Sequence, residues 1–111
     1  MEEHFDILWE GTSGHELGFY ILALDSAVRL IEDPGIYIVA RKLKSGIWEP
    51  LSIGRTDSLD EAMRQQSDHA CIRRHHGSHL HVRPTDGDRS ADNDLITDLV
   101  EMWNPVCGSA A

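Results

Sequence analysis

Six potential metal ligands fall within 13 positions of this sequence: His69, Cys71, His75, His76, His79 and His81. Imidazole and thiolate are the natural ligands of Zn²⁺. His79 and His81 are two apart, so on a strand they face the same side and could chelate together. The spacing matches no standard zinc pattern and no C-x₂-C is present, so zinc is not expected. The ordinary reading is a polar strand face and loop that gain positive charge below pH ~6.5. Such a His/Arg face could meet an acidic partner, or the chain's own acidic N-terminal segment. Arg55, Arg64, Arg73 and Arg74 form a second group, able to contact phosphates or simply to balance an acidic chain.

The charge distribution weighs on those readings. The chain has 111 residues and a formal charge of −9, with 10 Lys plus Arg against 19 Asp plus Glu. Residues 1–34 carry −7, residues 35–91 carry +2 and residues 92–111 carry −4. Duplex DNA is held mainly through its phosphates, so this excess disfavours nucleic acid. A protein partner or a second copy of the chain remains open. The length suits one domain, and no run of ~18 apolar residues predicts a membrane span. Met1-Glu2-Glu3-His4 is acidic where a signal peptide would be basic, so a cytoplasmic location is expected. Cys71 and Cys107 are accordingly expected to be free, buried thiols.

The elements that must position these groups are legible in part. Phe5, Ile7 and Trp9 alternate as on a strand, and Phe19 to Leu24 is an apolar run that suits a strand or a buried helix. Asp25 or Ser26 can cap a short helix carrying Ala27, Val28, Leu30 and Ile31, ended by Asp33-Pro34-Gly35. Ile36 to Ala40 and Trp48 to Ile53 read as a hairpin turning at Lys44-Ser45-Gly46. Pro50 requires an edge or a bulge in its second strand. Ser58-Leu59-Asp60-Glu61 has capping-box spacing and opens a helix over about 58–66. Ser78 to Val82 reads as a third strand with Leu80 and Val82 inward. Ser90 can cap a last helix bearing Leu95, Ile96, Leu99, Val100 and Trp103, stopped by Asn104-Pro105. The class is α+β (mixed α/β), a small sheet flanked by helices in the order β-β-α-β-α. An acidic extension over 1–33 precedes a domain over 34–108 and a tail over 109–111.

Gly35-Ile36-Tyr37 on the first hairpin strand and Ser52-Ile53-Gly54-Arg55-Thr56 on the second resemble the GIY-YIG nuclease family. The similarity runs on through Leu59, through Asp92-x-x-Leu95-Ile96, and to Trp103-Asn104-Pro105-Val106-Cys107. It spans Pro34 to Gly108, roughly two-thirds of the chain. The resemblance implies a divalent-metal-dependent phosphodiesterase. Two strand tyrosines, a helix arginine, a carboxylate for one Mg²⁺ or Mn²⁺, a His or Tyr and an Asn would do the work. A hydroxyl positions the attacking water, a guanidinium neutralises the phosphorane, and the carboxylate holds the cation against a phosphate oxygen.

Carried over by position, the first tyrosine is Tyr37 and the second falls on Ser52. The arginine falls on Ala62, with Arg64 two residues further on and on a different helical face. The His position falls on Gln66, the metal carboxylate on Asp92, and the asparagine near Gly108. Losing one preorganised charge of this kind costs ~10²–10³ in rate. The expectation is a GIY-YIG-like domain, catalytically inactive or weak, that acts in binding or regulation. The alternative is an active DNA endonuclease in which Arg64 or Arg55 replaces the arginine and Asp92 holds the metal. Arg55, Arg73 and Arg74 are then the candidate phosphate contacts.

Overall fold

The structure is a computed structural model that describes residues 4–110. Residues 1–3 and 111, and with them the acidic start of the extension and the end of the tail, lie outside the described residues. Six strands form one sheet in the order β1-β2-β5-β3-β4-β6. They are β1 (Ile7–Glu10), β2 (Glu16–Ala23), β3 (Gly35–Lys42), β4 (Trp48–Thr56), β5 (His79–Pro84) and β6 (Ser109–Ala110). β1 to β5 pair antiparallel, and the two-residue β6 adds in parallel to β4. Three helices complete a mixed α+β fold: α1 (Leu59–Ser67), α2 (Ala70–Arg74) and α3 (Arg89–Trp103). No helix among the described residues is long and apolar enough to cross a membrane.

Strand alternation divides the core into two layers, because successive side chains point to opposite faces. On one face Tyr37, Val39, Leu51, Leu80 and Val82 pack with Leu59, Ala62 and Met63 of α1 and Ile72 of α2. On the other, Trp9, Leu17, Phe19, Ile36, Ile38 and Ile53 pack with Ile96 and Leu99 of α3. The sheet is therefore covered by α1 and α2 on one side and by α3 on the other. The apolar run at Phe19 to Leu24 is strand, and its β2 lies directly beside β5. The N-terminal segment thus adds strands to the sheet and also covers one of its faces.

The β3–β4 hairpin follows its sequence signals. Gly46 turns it with φ +86°, a left-handed conformation that costs glycine little. Val39 pairs with Ser52 but Ala40 pairs with Pro50, so Leu51 is the extra residue of a bulge. Beyond that bulge, the outer side of β4 has no strand partner opposite Pro50, since β6 meets β4 only at Ile53 and Gly54. Proline's missing donor is thereby accommodated. Ser58 caps α1 by accepting from Glu61 N at 3.2 Å. The reciprocal half of the box does not form: Ser58 N donates to Thr56 Oγ1 and the Glu61 carboxylate takes Gln65.

Three local expectations are corrected. Residues 24–34 form no helix. Asp25 makes an Asx turn, accepting from Ala27 N at 2.9 Å. The chain then runs across the start of α1, where Ile31 O and Asp33 O accept from Asp60 N and Leu59 N. These are orphan donors of a helix N-terminus, and the segment satisfies them as a strap, where an isolated short helix would be marginal. Asp88 rather than Ser90 caps α3, accepting from Ala91 N at 3.1 Å. Cys71 and Cys107 are half-buried and joined in a disulfide, not free and buried. β6 and the Cys107 N–H to Leu51 O bond of 2.7 Å bring the end of the chain back under α2, with Cα atoms 5.8 Å apart. That separation suits a disulfide.

Candidate functional site

Tyr37 sits near the start of β3 with its ring under α1 and only 3% of its surface exposed. Its hydroxyl oxygen accepts a hydrogen bond of 3.2 Å from Gln66 Nε2, near the end of α1. Burial pushes the phenol above its ordinary value near 10. A phenol so placed does not ionise near neutral pH, and it is closed to a bulky ester. Ser52 lies opposite Val39 on the same face and is also buried.

Asp92 comes from the first turn of α3, on the far side of the sheet. Arg55 lies opposite Ile36 in the β3–β4 register, so its side chain shares the α3 face while Tyr37 faces α1. Arg55 Nε meets Asp92 Oδ2 at 3.3 Å and Arg55 Nη1 meets Asp57 Oδ1 at 2.8 Å. Both hydrogen-bond partners hold the guanidinium in its charged form, Asp57 more strongly than Asp92. Thr85 Oγ1 donates to the same Asp92 Oδ2 at 2.9 Å. Arg89 closes the group with a 2.9 Å contact to Asp57. Asp92 and the Arg55 side chain are almost wholly buried. This donor set does not fit Mg²⁺ or Mn²⁺. A dication wants several unhindered oxygens. Here Asp92 already satisfies a buried cation and a hydroxyl, and Asp57 is paired with two arginines.

Arg64 faces neither group. Its guanidinium bonds the buried carboxylate of Asp60 one turn earlier, and that carboxylate also accepts from Leu30 N at 2.9 Å. The Leu30 N–H first, and Arg64 next, hold Asp60 below the usual carboxylate range. Asp60 therefore secures the 24–34 strap to α1, and Arg64 holds that carboxylate charged. The i, i+4 spacing of Asp60 and Arg64 is the signal in the sequence for this pair. Arg73 and Arg74 are exposed on α2, Arg73 3.7 Å from Asp68. Of the three candidate phosphate contacts, Arg55 is thus inside and only Arg73 and Arg74 are accessible.

The histidines separate into distinct roles. His69 caps α2, its Nδ1 accepting from Cys71 N at 3.2 Å. His75 ends that helix, and His76 follows with φ +59°. His79 and His81 do face one side of β5, but Trp48 stands edge-on to both rings. His81 is fully buried, and its Nδ1 accepts from Trp9 Nε1 at 2.9 Å. Its Nε2 has no hydrogen-bond partner among the described residues, and burial first of all depresses its pKa to about 4.

Neither Tyr37 nor Asp92 lines either of two cavities formed by the described residues. One of about 330 Å³ is apolar and runs between the strap and β2, lined by Tyr20, Leu22, Leu30, Ile31, Leu59 and Val82. The other, about 410 Å³, is polar and is lined by Arg41, Glu49, Pro50, His75, Trp103, Asn104 and Val106. Sequence reasoning did not anticipate the second, because it joins β3, β4, α2 and the end of α3. Comparison with protein-family models, with curated proteins and with solved structures finds no match to this chain.

Proposed function

We propose that this chain is a GIY-YIG-like domain in which the groups of a nuclease site have become structural contacts, and that it acts by binding, not by cleavage. The order hairpin, helix, strand, helix over residues 35–103 supports the kinship, with the short α2 added before β5. So does the pairing of the two triplets: Tyr37 lies opposite Gly54, and Ile38 opposite Ile53. Gly35 also has a packing reason. A Cβ there would meet Arg83 O at 2.6 Å and the Leu59 side chain at 2.9 Å, so only glycine lets β5 and α1 close over the strand end.

One observation carries the noncatalytic reading. The Asp92 carboxylate is bound by Arg55 and Thr85 on one face of the sheet, while the Tyr37 phenol is buried with Gln66 on the other. Metal-dependent phosphodiester hydrolysis needs a metal-bound oxygen and an activated water at the same phosphorus. Groups separated by the sheet do not meet there. The charge of −9 makes a protein the better partner, since Arg73 and Arg74 are the exposed remnant of the basic candidates.

A plasmid nicking assay with Mg²⁺ or Mn²⁺ tests this reading. No cleavage is expected from the purified chain. Robust nicking that disappears in Tyr37→Phe and Asp92→Ala variants would defeat it. Binding to duplex DNA at low salt is expected to be unmeasurable. Affinity that falls steeply with added salt would restore nucleic acid as the partner.

A further inference from the structure

Cys71, His75 and Cys107 present three ligand atoms that all lie within 4.8 Å of one another, and all three residues are half-buried. We propose that this group is a redox-gated Zn²⁺ site: closed to metal while Cys71 and Cys107 are oxidised, and open to one ion when they are reduced. The inference does not depend on the nuclease-like reading.

The ligand types and their placement support it. Two thiolates and one imidazole are a set that Zn²⁺ takes readily. Cys71 and His75 are one helical turn apart, so they share a side of α2. Tetrahedral Zn²⁺ with Zn–S bonds of ~2.3 Å sets its sulfurs about 3.8 Å apart. Side-chain rotation at two cysteines whose Cα atoms are 5.8 Å apart reaches that spacing. A solvent oxygen would complete the set, and His75 borders the 410 Å³ polar cavity.

The site also has a reason to persist on reduction. Cys107 is anchored without its sulfur, through its N–H to Leu51 O and the pairing of Ser109 with Ile53. α2 is anchored by the buried Ile72 and by the His69 cap. Opening the bond therefore leaves two thiols facing His75 on a backbone that other contacts hold. The chemistry balances in two steps. A dithiol reductant passes two electrons and two protons to the Cys71–Cys107 bond and becomes a disulfide itself. Zn²⁺ then displaces both thiol protons to the medium as it binds two thiolates and neutral His75. Oxidation reverses the sequence and expels the ion.

The test uses the full chain without a histidine tag, oxidised or reduced with a phosphine that does not chelate zinc. Zn²⁺ is titrated in competition with a chromophoric chelator, and Co²⁺ is followed by its thiolate charge-transfer absorption. Reduced protein is expected to take one ion per chain with a thiolate–cobalt band, and oxidised protein none. His75→Ala should weaken binding by about tenfold or more. His76→Asn, at an exposed left-handed position that asparagine tolerates, should leave it unchanged. Circular dichroism of each variant shows whether it is folded. The proposal is overturned if folded, reduced protein takes no ion, or if oxidised protein binds as tightly. It is equally overturned if a folded Cys71→Ser/Cys107→Ser variant retains the affinity, or if His75→Ala leaves it unaltered.

Discussion

Acidification should destabilise this fold through His81. The ring is fully buried, accepts from Trp9 at Nδ1, and carries its remaining proton at Nε2 beside Trp48. Its folded pKa is about 4, set by burial first and by the neighbouring His79 next, with Asp6 opposing. The unfolded chain offers the ordinary value of about 6.5. Between those values the unfolded chain takes up a proton that the folded one refuses. The stabilisation is therefore complete above pH ~6.5 and is lost as the pH falls toward about 4. At about 1.4 kcal/mol per pH unit the full loss is about 3 kcal/mol, and about 2 kcal/mol is already gone at pH ~5. A small domain holds only ~5–15 kcal/mol in total, so the effect is readable. The assay is urea unfolding followed by tryptophan fluorescence at neutral pH and near pH 5. His81→Gln is the matched variant, because its amide oxygen can still accept from Trp9 and does not titrate. It should start less stable, having lost a packed ring, and then lose about 2 kcal/mol less than the parent on acidification. Equal losses in the two proteins would refute a buried neutral His81.

Asp92→Ala should lower unfolding free energy by about 2–4 kcal/mol, because it leaves a buried guanidinium short of a partner. Denaturant titration checks this, and an unchanged midpoint would show that Arg55 does not depend on Asp92. Gly35→Ala should cost about 1–3 kcal/mol, since the new methyl meets the backbone carbonyl of Arg83, which cannot swing aside. A thermal melt reports it, and a variant as stable as the parent would mean that β5 and α1 do not close on this strand end.

Much of the frame was legible because it is written locally. The β3–β4 hairpin has its β-branched run and its turn glycine, and Pro50 announced the bulge and the unpaired edge. Ser58 fixed the start of α1 through a bond spanning three residues. Asn104, with φ +44°, ends α3 where Asn-Pro predicts a stop. Within the strap over 24–34, Ala27, Val28, Leu30 and Ile31 have helical spacing, yet no helix forms. Its real partners are the first N–H groups of α1, some thirty residues onward, which periodicity does not encode.

The sequence alone determined the β3–β4 hairpin, α1, β5 and α3, and which residue types stand at the family-like positions. It also yielded Tyr37 and Asp92 as the best-preserved chemical groups. Only the tertiary structure decided what those groups touch. Tyr37 and Arg55 lie on neighbouring strands of one hairpin, yet the pleat sends them to opposite faces, and packing then gives each a different helix. Trp9 meets His81 across 72 positions, and Cys71 meets Cys107 across 36. Caps, turns and periodicity act within a few residues. A partner across the sheet is fixed by which elements become neighbours, and that is a property of the whole chain.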